Sequence, residues 1–263
     1  MNWIVTGDTH RVFNRFDNLK GMPESTAVII LGDIGLNYTL DENDYYAKKA
    51  LCKSYPYKFY CVRGNHEARP SDVEGMKLSW DVNVSGMVWY EEDFPNIRYF
   101  QDWGEYRIDG LRTLVIGGAY SVDKPWRVAN GWKWFENEQL TRREMDECAK
   151  VAMSGKGYDL ILSHTCPRSL QPTDLFLGCI DQSTVDSTME EWMDRLGRAV
   201  EWKIWLFAHY HTDRVEWPHV EIFYQEMESL QDILARWNKY DETKELDWWL
   251  PLSPKMKRIM EGE

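Results

Sequence analysis

Short runs of apolar, largely β-branched or aromatic residues recur along the chain at Asn2–Thr6, Ala27–Leu31, Lys58–Val62, Leu111–Ile116, Tyr158–Leu162 and Lys203–Phe207. Runs of this length bounded by turn residues predict buried strands. Helical patterns lie between several of them. The stretch "LDENDYYAKKALCKSY" carries acids in its first turn and lysines later, which suits the helix dipole. "TRREMDECAKVAMSG" opens on the capping-box spacing Thr141-x-x-Glu144 and stops near Gly155. "STMEEWMDRLGRAVEW" repeats that spacing with Ser187 and Glu190. "GEYRIDGLRTLVIGG" predicts a hairpin turning at Asp109-Gly110, a dipeptide suited to a type I′ turn. Strands alternating with helices, plus a hairpin, predict a mixed sheet in a layered α/β domain.

The pattern changes near Met227, where the charged, tryptophan-bearing "ESLQDILARWNKYDETKELDWWL" begins. So short a segment cannot bury a core of its own. The expected organisation is a main domain over 1–226 and a helical, charged extension over 227–263 laid against it.

Composition narrows the class. The 263 residues are 43% hydrophobic and 28% charged, the balance of a folded globular chain with one large domain. No apolar run nears the ~18 residues that span a bilayer, and the first residues lack the basic and apolar regions of a signal peptide. A cytoplasmic protein with no membrane partner is expected. The five cysteines form no C-x-x-C pair, which predicts reduced thiols and argues against a cysteine zinc site. A net charge of −12 argues against general nucleic-acid binding. It leaves room for a local phosphate site, because a metal cluster brings positive charge that residue counting misses.

The histidines change the picture most. Five of the six sit in four short stretches: "GDTH" (His10), "GNHE" (His66), "LSHTCP" (His164) and "AHYH" (His209, His211). "LGDIG" adds Asp33. Each stretch follows an apolar run, so Asp8, Asp33, Asn65, His164 and His209 emerge at strand ends, where open α/β sheets bind ligands. Singly, Asp33 reads as a turn or cap and His164 or His209 as a hydrogen-bonded core histidine. Together they form the donor set that two divalent ions need in order to clamp an in-line displacement at oxygen, with a carboxylate bridging them. Mixed imidazole and oxygen donors suit Mn, Fe, Co or Zn better than Ca or Mg.

The order D-x-H, G-D, G-N-H-[DE], H and x-H-x-H, spread from residue 5 to 214, resembles that of the calcineurin-like metallophosphoesterases. The resemblance implies a four-layer α/β/β/α sandwich and hydrolysis of a phosphate mono- or diester by a hydroxide bridging two metals. It implies that Asp8, His10 and His211 hold one ion, that Asn65, His164 and His209 hold the other, and that Asp33 bridges them. Two transition ions are implied, manganese first, with Fe, Zn, Co or Ni as alternatives. His66 takes the place of the histidine near the leaving group, and Asn65 also offers a donor to a phosphate oxygen. The chain departs from the pattern at Leu36, where the family often has an acid that orients that histidine, and mildly at Ala208, where Gly is usual. The group that orients His66 is therefore open. Glu67 is adjacent, and it reaches back only if the chain turns.

Between "VIGGAY" and the helix at 141 lies "SVDKPWRVANGWKWFENEQ", with three tryptophans, Lys124, Arg127 and Lys133. The plain reading is a packed connector. The functional one is a lid in which Trp126 and Arg127 bind a small-molecule or nucleotide phosphate ester. The stretch "PRSLQPTDLFLGCIDQSTVD" is the candidate opposite wall. Two other readings remain: a scaffold of this fold without catalysis, and a nuclease. The filled ligand positions count against the first and the acidic charge against the second.

Overall fold

The computed structural model describes residues 1–246 and 250–262. Residues 247–249 and 263 of the expected extension lie outside the described residues. One sheet holds β1 (Trp3–Thr6), β2 (Ala27–Ile30), β3 (Lys58–Cys61), β4 (Lys77–Asp81), β5 (Gly86–Tyr90), β6 (Ile97–Phe100) and β13 (Glu228–Ser229), in the order β13-β1-β2-β3-β6-β5-β4. The other holds β7 (Trp103–Ile108), β8 (Leu111–Ile116), β9 (Tyr158–Ser163), β10 (Trp202–Phe207), β11 (Arg214–Trp217) and β12 (Val220–Ile222), in the order β11-β12-β10-β9-β8-β7. β1, β2, β3 and β6 run parallel, as do β8, β9 and β10, so each sheet gathers its carboxyl ends along one edge.

Residue alternation sets the layers. Along β2, Ala27 and Ile29 face the other sheet while Val28 and Ile30 face outward. Along β10, Ile204 and Leu206 point inward and Trp205 and Phe207 outward. Both faces are apolar, which is why these strands read as unbroken hydrophobic runs. The outward face of the first sheet is covered by Leu51 and Ala47 of α1 (Glu42–Ser54). Met145 and Cys148 of α3 (Arg142–Met153) and Met189, Trp192 and Met193 of α4 (Thr188–Ala199) cover the second. The result is an α/β/β/α stack of two mixed sheets with helices on the outer faces.

All six expected strands are present with ends displaced by no more than one residue. The hairpin turns at Asp109 and Gly110, both left-handed (φ 52° and 82°), as a type I′ turn requires. Thr141 and Glu144 form the reciprocal capping box. Ser187 does not: its side chain makes no cap bond, and Glu190 is turned inward to accept from the Thr165 hydroxyl at 3.1 Å. Asp186 serves instead, taking the Thr188 N–H at 3.0 Å. The meander β4-β5-β6 had no counterpart in the hydrophobic pattern.

The chain beyond Met227 is woven into the core. β13 pairs antiparallel with β1, and Leu230, Ile233, Trp237 and Tyr240 of α5 (Leu230–Thr243) join the cluster between the sheets. Met256 of α6 (Pro254–Glu261) joins it too. No helix among the described residues is long and apolar enough to cross a membrane.

Candidate metal centre

Each expected site residue leaves the end of a strand. Asp8 and His10 follow β1, Asp33 follows β2, Asn65 and His66 follow β3, His164 follows β9, and His209 and His211 follow β10. The chain turns sharply there. His10, Asp33, His209 and His211 all have left-handed backbone, with φ of 43°, 45°, 70° and 50°. Four side-chain-bearing residues in that region concentrate backbone strain at one spot, a feature associated with functional sites. Two glycines make room. A Cβ on Gly32 would lie 2.0 Å from Nδ1 of His164, and one on Gly64 would lie 1.9 Å from Oδ1 of Asp33. The Gly-Asp and Gly-Asn-His motifs therefore both need glycine for close approach, and Gly32, at φ 103°, for turning as well.

The side chains converge. Candidate ligand atoms of Asp8, His10 and His211 lie within 4.8 Å of one another, and so do those of Asp8, Asp33 and His164. His10, Asp33 and His66 form a third such group. Asn65 presents Oδ1 2.9 Å from Nε2 of His164. His209 donates its backbone N–H to Asp8 at 3.2 Å, and its ring centroid is 5.0 Å from that of His164. Its ring nitrogens belong to none of the three groups among the described residues.

The electrostatics call for a cation. Burial and the neighbouring Asp33 push Asp8 well above the usual carboxylate range. Burial alone raises Asp33, but the rings of His66, His164 and His10 outweigh it and hold the group low. Burial lowers His10 to about 4 and pulls His164, His209 and His211 down as well. The imidazoles are thus neutral at ordinary pH and offer lone pairs. His164 shows which one: its Nδ1 lies 2.8 Å from the Leu31 carbonyl, an atom that only accepts, so the single ring proton sits on Nδ1. Nε2 is bare, and it faces Oδ1 of Asn65 and, at 3.7 Å, a carboxylate oxygen of Asp33. Acceptors turned on one another in a buried site are placed to hold a divalent metal ion.

Around His66 the structure answers the question left open by Leu36, which is fully buried in the outer core. Glu67 does fold back, but onto backbone: its carboxylate takes the N–H of Gly35 and, at 3.5 Å, that of Gly64. Burial and Asp33 push it up to about 8. His66 instead meets Asp33, with Nδ1 3.4 Å from Oδ2, and Arg127. Arg127 lies on α2 (Lys124–Ala129), a short helix within the expected lid, and is buried to 6% exposure. Asp123 binds its Nε at 2.8 Å. Trp126 is half exposed and meets Trp132 edge-on at 4.5 Å. Sequence reading missed Ser121, which accepts from Nδ2 of Asn65 at 2.7 Å, and Glu138, which holds Ser121. Nothing in their local pattern marks them, since their partners are distant in the chain.

Among solved structures, the fold is similar to phosphopantetheinyl hydrolase from Mycobacterium tuberculosis, at 12% identity and TM-score 0.45 over 93% of each chain. A 5'-nucleotidase precursor from Thermus thermophilus aligns at 15% identity and TM-score 0.35, over 83% of this chain and 43% of that one. The sulfate thiohydrolase SoxB of the same organism aligns at 13% identity and TM-score 0.35, over 90% of this chain and 46% of that one. No curated protein sequence matches the chain. The sequence model described as calcineurin-like phosphoesterase matches residues 1–213, from the strand that delivers Asp8 to the turn that delivers His211, and the chain belongs to that family.

Proposed function

We propose that the chain is a dinuclear, metal-dependent phosphoric ester hydrolase acting on a mono- or diester of a small molecule or nucleotide. The observation that carries this reading is the inward-facing acceptor set of Asp8, Asp33, Asn65 Oδ1 and the bare Nε2 of His164. Asp8, His10 and His211 would hold one ion, Asn65, His164 and His209 would hold the second, and Asp33 would be shared by both. The mixed donors favour manganese, with Fe, Zn, Co or Ni as alternatives. When bound, such ions supply Lewis acidity toward the phosphoryl group and make water at the centre nucleophilic near neutral pH.

The chain's own groups do the rest. Arg127, buried yet beside the open site, donates to a phosphate oxygen. His66 gives a proton to the departing oxygen. Trp126 offers an exposed ring face to the organic part of the substrate. Residues 1–226 make up the hydrolase domain, and the described residues of the 227–263 extension add to its sheet and core.

The test loads metal-free protein with Mn, Co, Ni, Zn or Mg. Bound metal is then counted, and turnover is measured on mono- and diester chromogenic substrates, nucleotides and short oligonucleotides. Two ions per chain and ester turnover abolished by Asp33→Asn are expected. One ion or none in folded protein overturns the dinuclear reading. Two ions with no turnover of any ester favours the scaffold.

A further inference from the structure

We infer that Ser121 and Glu138 are positioning residues that set the amide orientation of Asn65, so that its oxygen and not its NH2 faces the metal centre; the inference rests on the proposed role of Asn65 as a ligand. An asparagine amide is nearly symmetric in shape, and turning it over exchanges an acceptor for a donor. Donor hydrogens aimed at a dication would repel it. Something must therefore choose the face.

Counting protons shows what chooses. Glu138 is buried to 2% exposure, and its carboxylate receives three donors. These are the Ser121 N–H at 3.0 Å, the Ser121 hydroxyl at 2.5 Å and the Trp134 indole N–H at 2.9 Å. Ser121 has one hydroxyl proton, and it is committed to Glu138. The oxygen of Ser121 then has only lone pairs left for Asn65, so it accepts from Nδ2 at 2.7 Å and would repel Oδ1 in that place. Asn65 and Ser121 are themselves 3% and 1% exposed, which keeps water from substituting. A buried amide with its NH2 pinned on one side presents Oδ1 on the other, toward Nε2 of His164. The arrangement also ties the ligand to the segment that carries Arg127, because Ser121 and Glu138 bracket it and Arg63 donates to the Glu138 carbonyl at 2.9 Å.

Groups that orient a metal ligand are typically worth roughly 10–100-fold in metal affinity. The test titrates Mn and Co into metal-free protein by calorimetry, with the melting temperature of each metal-free variant as the folding control. Wild type should take two ions. Ser121→Ala should weaken one of them by roughly 10–100-fold and leave the other unchanged, and Ser121→Thr, which keeps the hydroxyl, should restore it. Aspartate has no amide face to choose, so in the Asn65→Asp background Ser121→Ala should cost no further affinity. If Ser121→Ala alone folds poorly, Glu138→Gln decides the matter: an amide there can donate to Ser121 and release its hydroxyl proton toward Asn65, so the same single-ion loss is expected. Fewer than two ions on wild type overturns the ligand reading itself. Two ions bound by wild type and Ser121→Ala with equal affinity, or an equal loss in the Asn65→Asp background, overturns the positioning role.

Discussion

Nη2 of Arg127 lies 2.9 Å from Nε2 and 3.1 Å from Nδ1 of His66. A nitrogen so nearly equidistant from both ring nitrogens sits over the face of the imidazole and is not bonded in its plane to either tip. Nε is held by Asp123, and Nη1 by the Tyr38 hydroxyl and the Lys133 carbonyl, so Nη2 is the nitrogen left to meet an anion. A hydrogen bond to a charged group is worth about 1.5–3 kcal/mol. Arg127→Ala should lower kcat/KM for a phosphate ester by roughly 10–100-fold, at unchanged metal content. Arg127→Lys should recover only part of this, having charge without the fork. Unchanged kinetics in Arg127→Ala would remove Arg127 from substrate binding.

His66 should matter according to how badly the leaving group needs a proton. General acid catalysis contributes roughly 10²–10⁴-fold. His66→Gln should cost alkyl and nucleoside esters that much and nitrophenyl esters far less. Equal losses on both, at full metal loading, would mean that His66 binds phosphate and donates no proton.

These groups differ in how well the bare chain announces them. Asp8, Asp33, Asn65, His164 and His209 each follow an apolar run, and strands buried on both faces are visible without alternation. The strand Lys77–Asp81 is not, because Lys77–Trp80 are all exposed and Leu78 and Trp80 break the usual link between apolar and buried. Ser121 and Glu138 are ordinary polar residues until the chain closes Asn65 over them. The spacing at Ser187 misled for the opposite reason: a local signature lost to burial of Glu190 against Thr165.

The left-handed backbone at the centre predicts an inversion of the usual glycine effect. His211 has φ 50° and a half-exposed side chain. Relative to each other, His211→Gly should be more stable than His211→Ala in metal-free protein by about 1–2 kcal/mol, since alanine bears the left-handed penalty and glycine does not. In a chain of this size that is a difference of roughly 2–8 °C in melting temperature. Alanine equal to or above glycine would show that the turn relaxes once the histidine is gone.

A second stability prediction concerns pH and lies away from the site. Trp237 donates to the fully buried carboxylate of Glu221 at 2.6 Å. Burial pushes Glu221 up to about 8 despite the nearby Arg236. The folded state then holds a proton that the unfolded state gives up near pH 4.5, so this contribution is complete below about 4.5 and is lost as pH rises through about 8. Glu221→Gln keeps an acceptor for Trp237 and should flatten that slope, melting above wild type at pH 8.5 and closer to it at pH 5. Parallel melting curves across this range would mean that Arg236 keeps Glu221 ionised.

Metal should stabilise the fold by linkage. About 2.7 kcal/mol is expected when free ion exceeds its Kd about a hundredfold, provided only the native state binds. Asp33→Asn should abolish most of that gain. A melting temperature indifferent to Mn and Co would contradict native-state binding.

Asp8, Asp33 and Asn65 come from one sheet, and His164 and His209 come from the other. The gap between the two groups is set by the side chains stacked between the sheets, among them Ile29, Leu162 and Leu206, which are fully buried. Protein interiors pack as densely as organic crystals and transmit strain. The apolar layer thus works as a spacer gauge whose thickness is read at the far edge as the bite of the donor atoms. Trimming it, as in Leu162→Ala, would change which ion radius the centre prefers, through a residue that touches neither ion nor substrate.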